Sequence, residues 1–341
     1  DYDDFRHPQK VQWGQSIEED LKRRDFTINA IALGLNKENK LVLIDPHQGQ
    51  KDLQKRLVRC VGKPQERFQE DALRLMRAIR FAAKLNFSVE EKTLTAIKEN
   101  SSLLKKISAE RIRDELLKII IDPNVDIALQ LMKKTKIINY VLPELMAGYD
   151  MKQKGHHIWD VWKHSIMAVK FCPSSNPIVR LAALLHDVGK PAVMKEKNGE
   201  RTFYNHEVIG AAIVRKIGER LKLSKKDRQR LTKLVRWHQF SVSEKQTDSA
   251  IKRFIRHVGL ENVLNMLDLR VGDRLGSGAK KTSWRTEEFK KRLIEVQKEP
   301  FSIKDLKING NDVMKILNIE PGPKVGEILE EIFKKVDKNE L

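Results

Sequence analysis

Arginine and aspartate residues form a first cluster near the start of the chain. Arg23, Arg24 and Asp25 follow one another, and an apolar run over residues 28–33, interpreted as helical, comes next. The planar guanidinium of arginine pairs with two phosphate oxygens or with a base edge at once. Such a cluster can hold a triphosphate or a ribose, and the alternative is a group of surface salt bridges.

A second cluster lies on a helix predicted over residues 65–85. Asp71, Arg74 and Arg77 share one broad face of that helix because three-residue steps rotate only slowly around its axis, and Arg80 extends the face sideways. An aspartate and an arginine on a rigid helix offer an acceptor and forked donors to the edge of a nucleobase, which allows nucleotide selection without a template strand. The alternative is an exposed ion pair worth about a few tenths of a kcal/mol.

Histidine and aspartate residues recur along the second half of the chain. His186 and Asp187 are adjacent, at the point where an apolar helix ends before Gly189. Imidazoles and carboxylates from several helices are a ligand set for one or two divalent cations, which lower the pKa of bound water to about 7. A single histidine of this kind is more often structural, so the whole set carries the prediction. The further members of the set are His164, His206, His238 and Asp273.

The elements that must position these side chains are mostly helical after Pro64. Before it, the residues from Ser16 to Glu19 form a capping box that predicts a helix start, and strands are expected at 41–44 and 57–61. After it, apolar residues recur at three- and four-residue spacing. The helices predicted from this spacing cover residues 65–85, 89–99, 108–121 and 125–135.

Composition limits the class of protein. The chain has 341 residues and is 40% hydrophobic, which indicates two or three folded domains, and it has no apolar stretch of membrane-spanning length. Only two cysteines, Cys60 and Cys172, are present, which favours a reducing, cytoplasmic setting. The formal net charge of +19 favours a polyanionic partner such as nucleic acid, but a lysine-rich solvated surface explains the charge equally well.

Three segments together resemble a known family. Residues 24–29 read Arg-Asp-Phe-Thr-Ile-Asn, residues 45–52 read Asp-Pro-His-Gln-Gly-Gln-Lys-Asp, and residues 70–74 read Glu-Asp-Ala-Leu-Arg. In this order they resemble the ribose, hinge and base-recognition motifs of class II tRNA nucleotidyltransferases, the family of CCA-adding enzymes and bacterial poly(A) polymerases. Gly49 is a single glycine in the hinge motif, where the family often has two.

The resemblance implies roles for individual residues. Asp25 would distinguish ribose from deoxyribose, and Arg24 would hold the nucleotide. Asp71 with Arg74 would read C or A by its base edge. The remaining phosphate and nucleotide contacts would come from Arg77 and Arg80.

The resemblance also implies an activity, the template-independent addition of CCA to tRNA 3′ ends from CTP and ATP with Mg²⁺. In the family an Asp-x-Asp motif on an early strand binds Mg²⁺, and Asp1 and Asp3 are not that motif, because residues 2–8 resemble the segment that follows the strand. This chain is therefore expected to bind nucleotide weakly and to transfer nothing. The alternatives are a poly(A) polymerase, a stand-alone phosphohydrolase and an RNA-binding fragment.

The histidine-rich part resembles the HD phosphohydrolase superfamily in the order of its ligands. The resemblance implies that Asp187 bridges a metal ion and the attacking water, and that the ion is Ni²⁺, Mn²⁺ or Mg²⁺. His157 is interpreted as structural. The first metal would take His164, His186, Asp187 and Asp273, and a second would take His206 and His238.

The expected fold is mainly α. It begins with the remnant of a mixed α/β nucleotidyltransferase head (1–63) and continues with a helical neck and body that binds nucleotide and RNA (64–147). An all-α HD metal domain (148–285) and a small helical tail (286–341) follow. In the tail, Gly322 and Gly326 either let backbone amides approach RNA phosphates or form a plain turn before the last helix.

Overall fold

The first helix and the strands that follow it form the start of the structure. The computed structural model describes residues 16–153, 158–197, 200–240, 247–279, 284–296, 303 and 306–337. Helix α1 (Ile17–Lys22) begins where predicted, because the Ser16 side chain accepts a hydrogen bond from the amide of Glu19 at 3.3 Å. The strands β1 (Ala32–Leu35) and β2 (Leu41–Ile44) form an antiparallel hairpin in which Ala32 faces Ile44.

The prediction of a helix over residues 28–33 is wrong. A short 3-10 turn (Thr27–Asn29) is followed directly by β1. The amide of Thr27 donates to the carbonyl of Arg59 at 2.9 Å, and the carbonyl of Asp25 accepts from the amide of Val61 at 3.1 Å. These long-range bonds, together with the pairing of β1 and β2, satisfy the backbone of a run too short to sustain a helix alone.

Helices dominate the body that follows. The short strands β3 (Leu57–Val58) and β4 (Ser88–Val89) pair in parallel and flank this region. The helices predicted near 89–99, 108–121 and 125–135 are confirmed. The body helices and the one before them are α2 (Gly49–Gln54), α3 (Pro64–Glu70), α4 (Leu73–Leu85), α5 (Glu91–Asn100), α6 (Ala109–Ile120), α7 (Val125–Lys134) and α8 (Ile138–Val141).

The single helix predicted over residues 65–85 is two helices separated at Asp71. The backbone of Asp71 is extended, with φ −147° and ψ 102°. Its Oδ1 atom accepts a hydrogen bond from the amide of Leu73 at 3.0 Å, so this short carboxylate begins α4 instead of continuing α3. Asp71 therefore leaves the helical face that sequence periodicity assigned to it.

Long helices also form the rest of the chain. They are α9 (Val161–Phe171), α10 (Pro177–Leu185), α11 (Lys190–Val193), α12 (His206–Arg220), α13 (Lys225–Arg236), α14 (Asp248–Val258), α15 (Val263–Gly276), α16 (Trp284–Glu295), α17 (Gly310–Leu317) and α18 (Pro323–Asp337). A small hairpin of β5 (Lys195–Lys197) and β6 (Glu200–Thr202) precedes α12. The mainly α fold expected from the sequence is confirmed.

The chain divides into two units. The first comprises Asp1–His238 with Leu267–Ala279, and the second comprises Gln239–Met266 with Lys280–Leu341. Within the second unit the rings of Phe240, Phe254 and Phe289 lie 4.7 to 5.7 Å apart and form an aromatic core. No helix in the described ranges is long and apolar enough to cross a membrane.

Two features of the first unit hold its helices close together. The buried Arg180 of α10 donates to the carbonyls of Ile120 and Cys172 at 2.7 and 2.8 Å, which joins the ends of α6 and α9 to α10. At Gly272 of α15, an added Cβ would lie 2.4 Å from the carbonyl oxygen of Ala168 in α9. The missing side chain therefore permits the contact that brings Asp273 toward α9.

Candidate functional site

An open cavity of about 550 Å³ lies where α1 ends and where the chain breaks between α3 and α4. Five of the six nucleotide-binding residues expected from the sequence line it, and their neighbours add further polar and aromatic groups. The lining residues are Arg23, Arg24, Asp25, Asn29, Asp71, Leu73, Arg74, Arg77, Phe81 and Arg111.

Asp25 is the most buried polar group of the cavity. Its side chain is 8% exposed, and its Oδ1 accepts hydrogen bonds from Asn29 at 3.1 Å and from the amide of Phe26 at 2.9 Å. Its Oδ2 accepts from Nε of Arg77 at 2.7 Å. These bonds fix the carboxylate and the guanidinium relative to each other across 52 residues of sequence.

Asp71 is held by a residue that sequence reasoning missed. Its Oδ2 accepts from Nη2 of Arg111, on α6, at 2.8 Å. Nothing in the spacing links Arg111 to a carboxylate 40 residues away. The arginine-rich start of the helix predicted over 108–121 was the one signal, and it did not distinguish Arg111 from Arg113.

Arg74 is positioned by other groups than Asp71. Its Nη1 lies 2.8 Å from Oε2 of Glu70, and its Nη2 donates to the carbonyl of Arg23 at 3.1 Å. The Arg74 side chain is 16% exposed, so few orientations are open to it. One end of the cavity is thus joined directly to the end of α1.

Arg80 does not line this cavity within the described residues. Its guanidinium pairs with the buried carboxylate of Glu115 on α6 and lies over the ring of Phe81, 4.5 Å from the ring centre. Three-residue steps rotate progressively around a helix, and by Arg80 the rotation has carried the side chain from the cavity toward α6. Arg80 therefore reaches the cavity only through Phe81.

The segment from Asp45 to Asp52 packs beneath the turn that carries Asn29. Asp45 accepts from the amide of Gly49 at 2.7 Å and so begins α2. A Cβ at Gly49 would lie 2.2 Å from the carbonyl oxygen of Thr27, which requires glycine there. The buried Asp52 accepts from the hydroxyl of Thr27 at 2.7 Å.

A buried cluster of imidazoles and carboxylates forms the second candidate site. Asp187 lies at its centre, with Oδ2 at 3.3 Å from His164 Nε2 and at 3.2 Å from His186 Nε2. Its Oδ1 lies 3.2 Å from Nε2 of His206 and 3.8 Å from Nε2 of His238. The structure thus brings together two groups of candidate ligands that share Asp187, each with its ligand atoms within 4.8 Å of one another.

Asp273 completes the first group. Its Oδ1 lies 3.2 Å from Nε2 of His164 and 3.6 Å from Nε2 of His186. All six metal ligands expected from the sequence therefore converge. His157, expected to be structural, lies outside the described residues.

The orientation of the rings fits a bound cation. The Nδ1 atoms of His186, His206 and His238 each lie 2.8 Å from a backbone carbonyl. With the proton on Nδ1, each Nε2 carries a lone pair directed into the cluster. Nε2 atoms meet at 3.0 Å between His164 and His186 and at 3.2 Å between His206 and His238, so each pair shares either a proton or a cation.

The pKa values of the cluster also favour a bound cation. Burial opposes ionisation of Asp187, yet the charges of His186 and Lys190 hold the pKa of this carboxyl well below its usual range. Burial also opposes charge on His186, but Asp187 and Asp273 raise the pKa of its imidazole to about 10. Burial, aided by His186, lowers the pKa of His238 to about 3. A divalent metal would displace the proton of His186, because metals prefer ionised carboxylates beside neutral imidazoles.

Two residues beside the ligands, Lys190 and Gly189, hold Asp187 and bring the start of α12 close to it. Nζ of Lys190 donates to Asp187 Oδ2 at 2.7 Å and to Gln153 Oε1 at 2.6 Å. A Cβ at Gly189 would lie 2.2 Å from the carbonyl oxygen of His206, so glycine lets the start of α12 approach Asp187.

Family models match three parts of the chain. The model described as "Poly A polymerase head domain" matches residues 1–59. That described as "Probable RNA and SrmB- binding site of polymerase A" matches residues 86–148, and "HD domain" matches residues 155–276.

Relatives of known name agree with these matches. The chain is 32% identical over 330 residues to an A-adding tRNA nucleotidyltransferase of Deinococcus radiodurans, covering 92% of this chain and 74% of that protein. It is 49% identical over 136 residues to a CCA-adding enzyme of Lactobacillus helveticus, covering 40% of this chain and 33% of the relative.

A solved structure is similar over nearly the whole chain. The Bacillus stearothermophilus CCA-adding enzyme in complex with CTP is 28% identical, with a TM-score of 0.69, covering 97% of this chain and 72% of that one. Identity above 30% over most of a relative's length, three ordered motifs and a shared fold agree. The chain belongs to the tRNA nucleotidyltransferase family of CCA-adding enzymes and bacterial poly(A) polymerases, and it carries an HD domain.

Proposed function

We propose that the cavity lined by Asp25, Asp71, Arg74 and Arg77 selects the nucleotide in the addition of CCA to tRNA 3′ ends from CTP and ATP. The observation that carries the proposal is the fixed geometry of its acceptors and forked donors. Hydrogen bonds held in place before binding discriminate best, since a wrong base leaves buried partners unpaired.

The roles follow from position. Asp25, fixed by Asn29, accepts from the ribose hydroxyl, and Arg24 holds the nucleotide at the open rim. Asp71, at the break between α3 and α4, and Arg74, in the first turn of α4, face the base edge. Arg77 neutralises Asp25 and the incoming phosphates.

Transfer itself needs carboxylates that bind Mg²⁺ and orient the 3′-hydroxyl. In the described part of the chain, both carboxylates that line the cavity are paired with arginines, Asp25 with Arg77 and Asp71 with Arg111. We therefore assign them to selection and not to metal binding.

The division into head (1–63), neck and body (64–147), HD domain (148–285) and tail (286–341) stays a proposal. The family matches at 1–59, 86–148 and 155–276 support it. We also propose that the tRNA 3′ end is the partner of the body, and that the protein works in the cytoplasm.

The test of selection is nucleotide binding by the chain. Titration calorimetry with CTP, ATP, UTP and GTP should show tighter binding of the first two. Asp71→Ala should remove that preference, whereas Asp114→Ala, at an exposed carboxylate of α6, should leave it unchanged. Equal affinity for all four nucleotides in the unaltered chain would refute the proposal. Assays of nucleotide addition to tRNA, supplied with CTP or ATP alone, then distinguish CCA, A and poly(A) products.

We propose a second activity, because the buried cluster around Asp187 fits a divalent metal. When bound, Ni²⁺, Mn²⁺ or Mg²⁺ would activate a water molecule for phosphoester hydrolysis. His164, His186, Asp187 and Asp273 would hold the first ion, and His206 and His238 a second. Within the protein, Asp187 orients the attacking water and Lys190 keeps the Asp187 carboxylate ionised.

Hydrolysis of 2′,3′-cyclic nucleotides with each of the three metals tests this activity. We expect turnover that Asp187→Ala abolishes. Turnover that persists in Asp187→Ala, or no turnover with any of the three ions, would remove phosphoester hydrolysis as the role of the domain.

A further inference from the structure

Two exposed aromatic rings lie on the segment between α8 and α9, and nucleotide selection uses neither. Trp159 is 40% exposed and Tyr149 is 41% exposed. Nζ of Lys163 lies 5.7 Å from the centre of the Trp159 ring, and Nζ of Lys133 lies 3.1 Å from that of Tyr149. Aromatic faces with cations at hand are the groups that stack bases and neutralise phosphates.

The backbone that carries these rings is fixed by hydrogen bonds. Asp160 accepts from the amide of Lys163 at 2.6 Å and from the amide of Asp150 at 3.0 Å. The side chain of Gln153 donates to the carbonyl of Trp159 at 3.3 Å. The two segments are thereby tied together, so a ligand does not have to order them on binding.

Two cavities meet at Lys163. One of about 470 Å³ is lined by Lys152, Trp159 and Lys163 among others. The other, of about 600 Å³, has Lys133 and Lys134 in its wall. Each is large enough for a nucleotide-sized ligand. We name the pair the Trp159 cleft.

The charge of the Trp159 cleft is positive. Lys133, Lys134, Lys152 and Lys163 outnumber its carboxylates, Asp150 and Asp160. Each oxygen of Asp160 accepts one backbone amide, which holds this carboxylate in place, and the four lysines still exceed the two carboxylates in charge. The cleft therefore attracts phosphates.

One chain of hydrogen bonds joins the cleft to the HD cluster. Gln153, in the wall of the cleft, accepts from Nζ of Lys190 at 2.6 Å. The same Nζ donates to Oδ2 of Asp187 at 2.7 Å. Two hydrogen-bonded residues, Gln153 and Lys190, therefore connect a ligand in the Trp159 cleft to Asp187.

We propose that the Trp159 cleft binds the end of single-stranded RNA, with a base stacked on Trp159 and phosphates on Lys163 and Lys152, and so delivers the terminal phosphate to the HD cluster. This proposal rests on the phosphohydrolase activity proposed above. The aromatic faces favour RNA over an acidic protein segment, which would need the lysines but not the rings.

Binding of a fluorescein-labelled five-nucleotide RNA to the full chain in EDTA tests the cleft without hydrolysis. Trp159→Ala and Lys163→Ala should each weaken binding about tenfold, and Trp159→Phe, which keeps a ring, should bind nearly as tightly as the unaltered chain. Arg256 and Phe333 form a comparable cation–ring pair, with Cζ of Arg256 5.8 Å from the ring centre, and neither residue lines the cleft. Arg256→Ala and Phe333→Ala are therefore controls that should change little.

Unchanged binding in Trp159→Ala, an equal loss in Phe333→Ala, or equally strong competition by a polyglutamate peptide would contradict RNA binding in the Trp159 cleft. In the hydrolysis assay, Trp159→Ala should raise KM for an RNA ending in a cyclic phosphate while kcat is retained. Trp159-dependent binding without any hydrolysis would support RNA binding in the Trp159 cleft and contradict the proposed phosphohydrolase activity. Hydrolysis with an unaltered KM in Trp159→Ala would support the proposed phosphohydrolase and contradict RNA binding in the Trp159 cleft.

Discussion

Oδ2 of Asp25 lies 2.7 Å from Nε of Arg77, although one residue follows α1 and the other lies in the middle of α4. This pair joins the turn that carries Asp25 to the helix that carries the arginines. Because Asp25 is 8% exposed and Arg77 is 34% exposed, the carboxylate cannot exchange its partner freely for water.

Replacing Asp25 tests that relationship. Asp25→Ala should lower the free energy of unfolding by about 1–3 kcal/mol, because Arg77 and Asn29 lose an acceptor in a partly buried place. The preference for ATP over dATP should fall in the same variant. Urea denaturation and nucleotide titration measure the two effects. Asp20→Ala, at an exposed carboxylate that pairs with Arg24, is the control and should leave stability nearly unchanged, because solvent screens exposed ion pairs. An unaltered ATP preference in Asp25→Ala would contradict the ribose role.

The buried carboxylate of Glu115 offers a second test. It is 2% exposed and pairs with Arg80, whose guanidinium would otherwise be left unpaired beside Phe81. Glu115→Leu should lower the free energy of unfolding by about 3–5 kcal/mol. Urea denaturation provides the measurement, with the exposed Glu110→Gln on the same helix as control. Similar losses in both variants would show that α6, and not the buried pair, determines the effect.

Two helical glycines should respond in opposite directions to alanine. Gly272→Ala places a Cβ 2.4 Å from the Ala168 carbonyl, so it should lower the melting temperature and, by displacing Asp273, weaken metal binding. Gly326→Ala meets nothing within 4 Å and should stabilise α18 by about 0.5–1 kcal/mol. Thermal unfolding and Mn²⁺ titration measure both. A stabilising effect of Gly272→Ala would contradict the close helix contact.

The thiol of Cys60 predicts a dependence on alkaline pH. Burial, with the nearby charge of Asp25, raises its pKa from 9.0 to about 12. A raised pKa in the folded state contributes stability that is complete below about pH 9 and is lost as the pH rises toward 12. Urea denaturation from pH 8 to 11 should therefore show a steeper decline for the unaltered chain than for Cys60→Ala. Parallel declines, or rapid reaction of Cys60 with a thiol reagent at pH 8, would argue against the buried neutral thiol.

Much of the HD cluster was predictable because its ligands are unusual residues for a buried core. His186 lies next to Asp187, and the other candidate ligands lie at separate helices. Such a set has few explanations other than a shared site. The other ligands are His164, His206, His238 and Asp273. The sequence did not indicate how the helices approach one another, which depends on Gly189 and Gly272. Neither glycine has a distinguishing local signal.

The nucleotide cavity was predictable only in part. The order of the motifs identified Arg24, Asp25, Asp71, Arg74 and Arg77 as neighbours, and the structure brings them to one cavity. Arg111 was missed, and the pairing of Arg80 with Glu115 outside the lining of the cavity was not foreseen, because contacts over 35 to 40 residues leave no trace in local spacing.

By itself, the sequence determined the positions of most helices, the residues able to bind metal or nucleotide, and the family to which they point, because periodicity and side-chain chemistry are local properties. Only the tertiary structure decided that Asp71 leaves its helix to begin the next one, that residues 32–35 form a strand, and which arginine faces the cavity. Those outcomes depend on partners distant in sequence, whose hydrogen bonds and packing outweigh local preference.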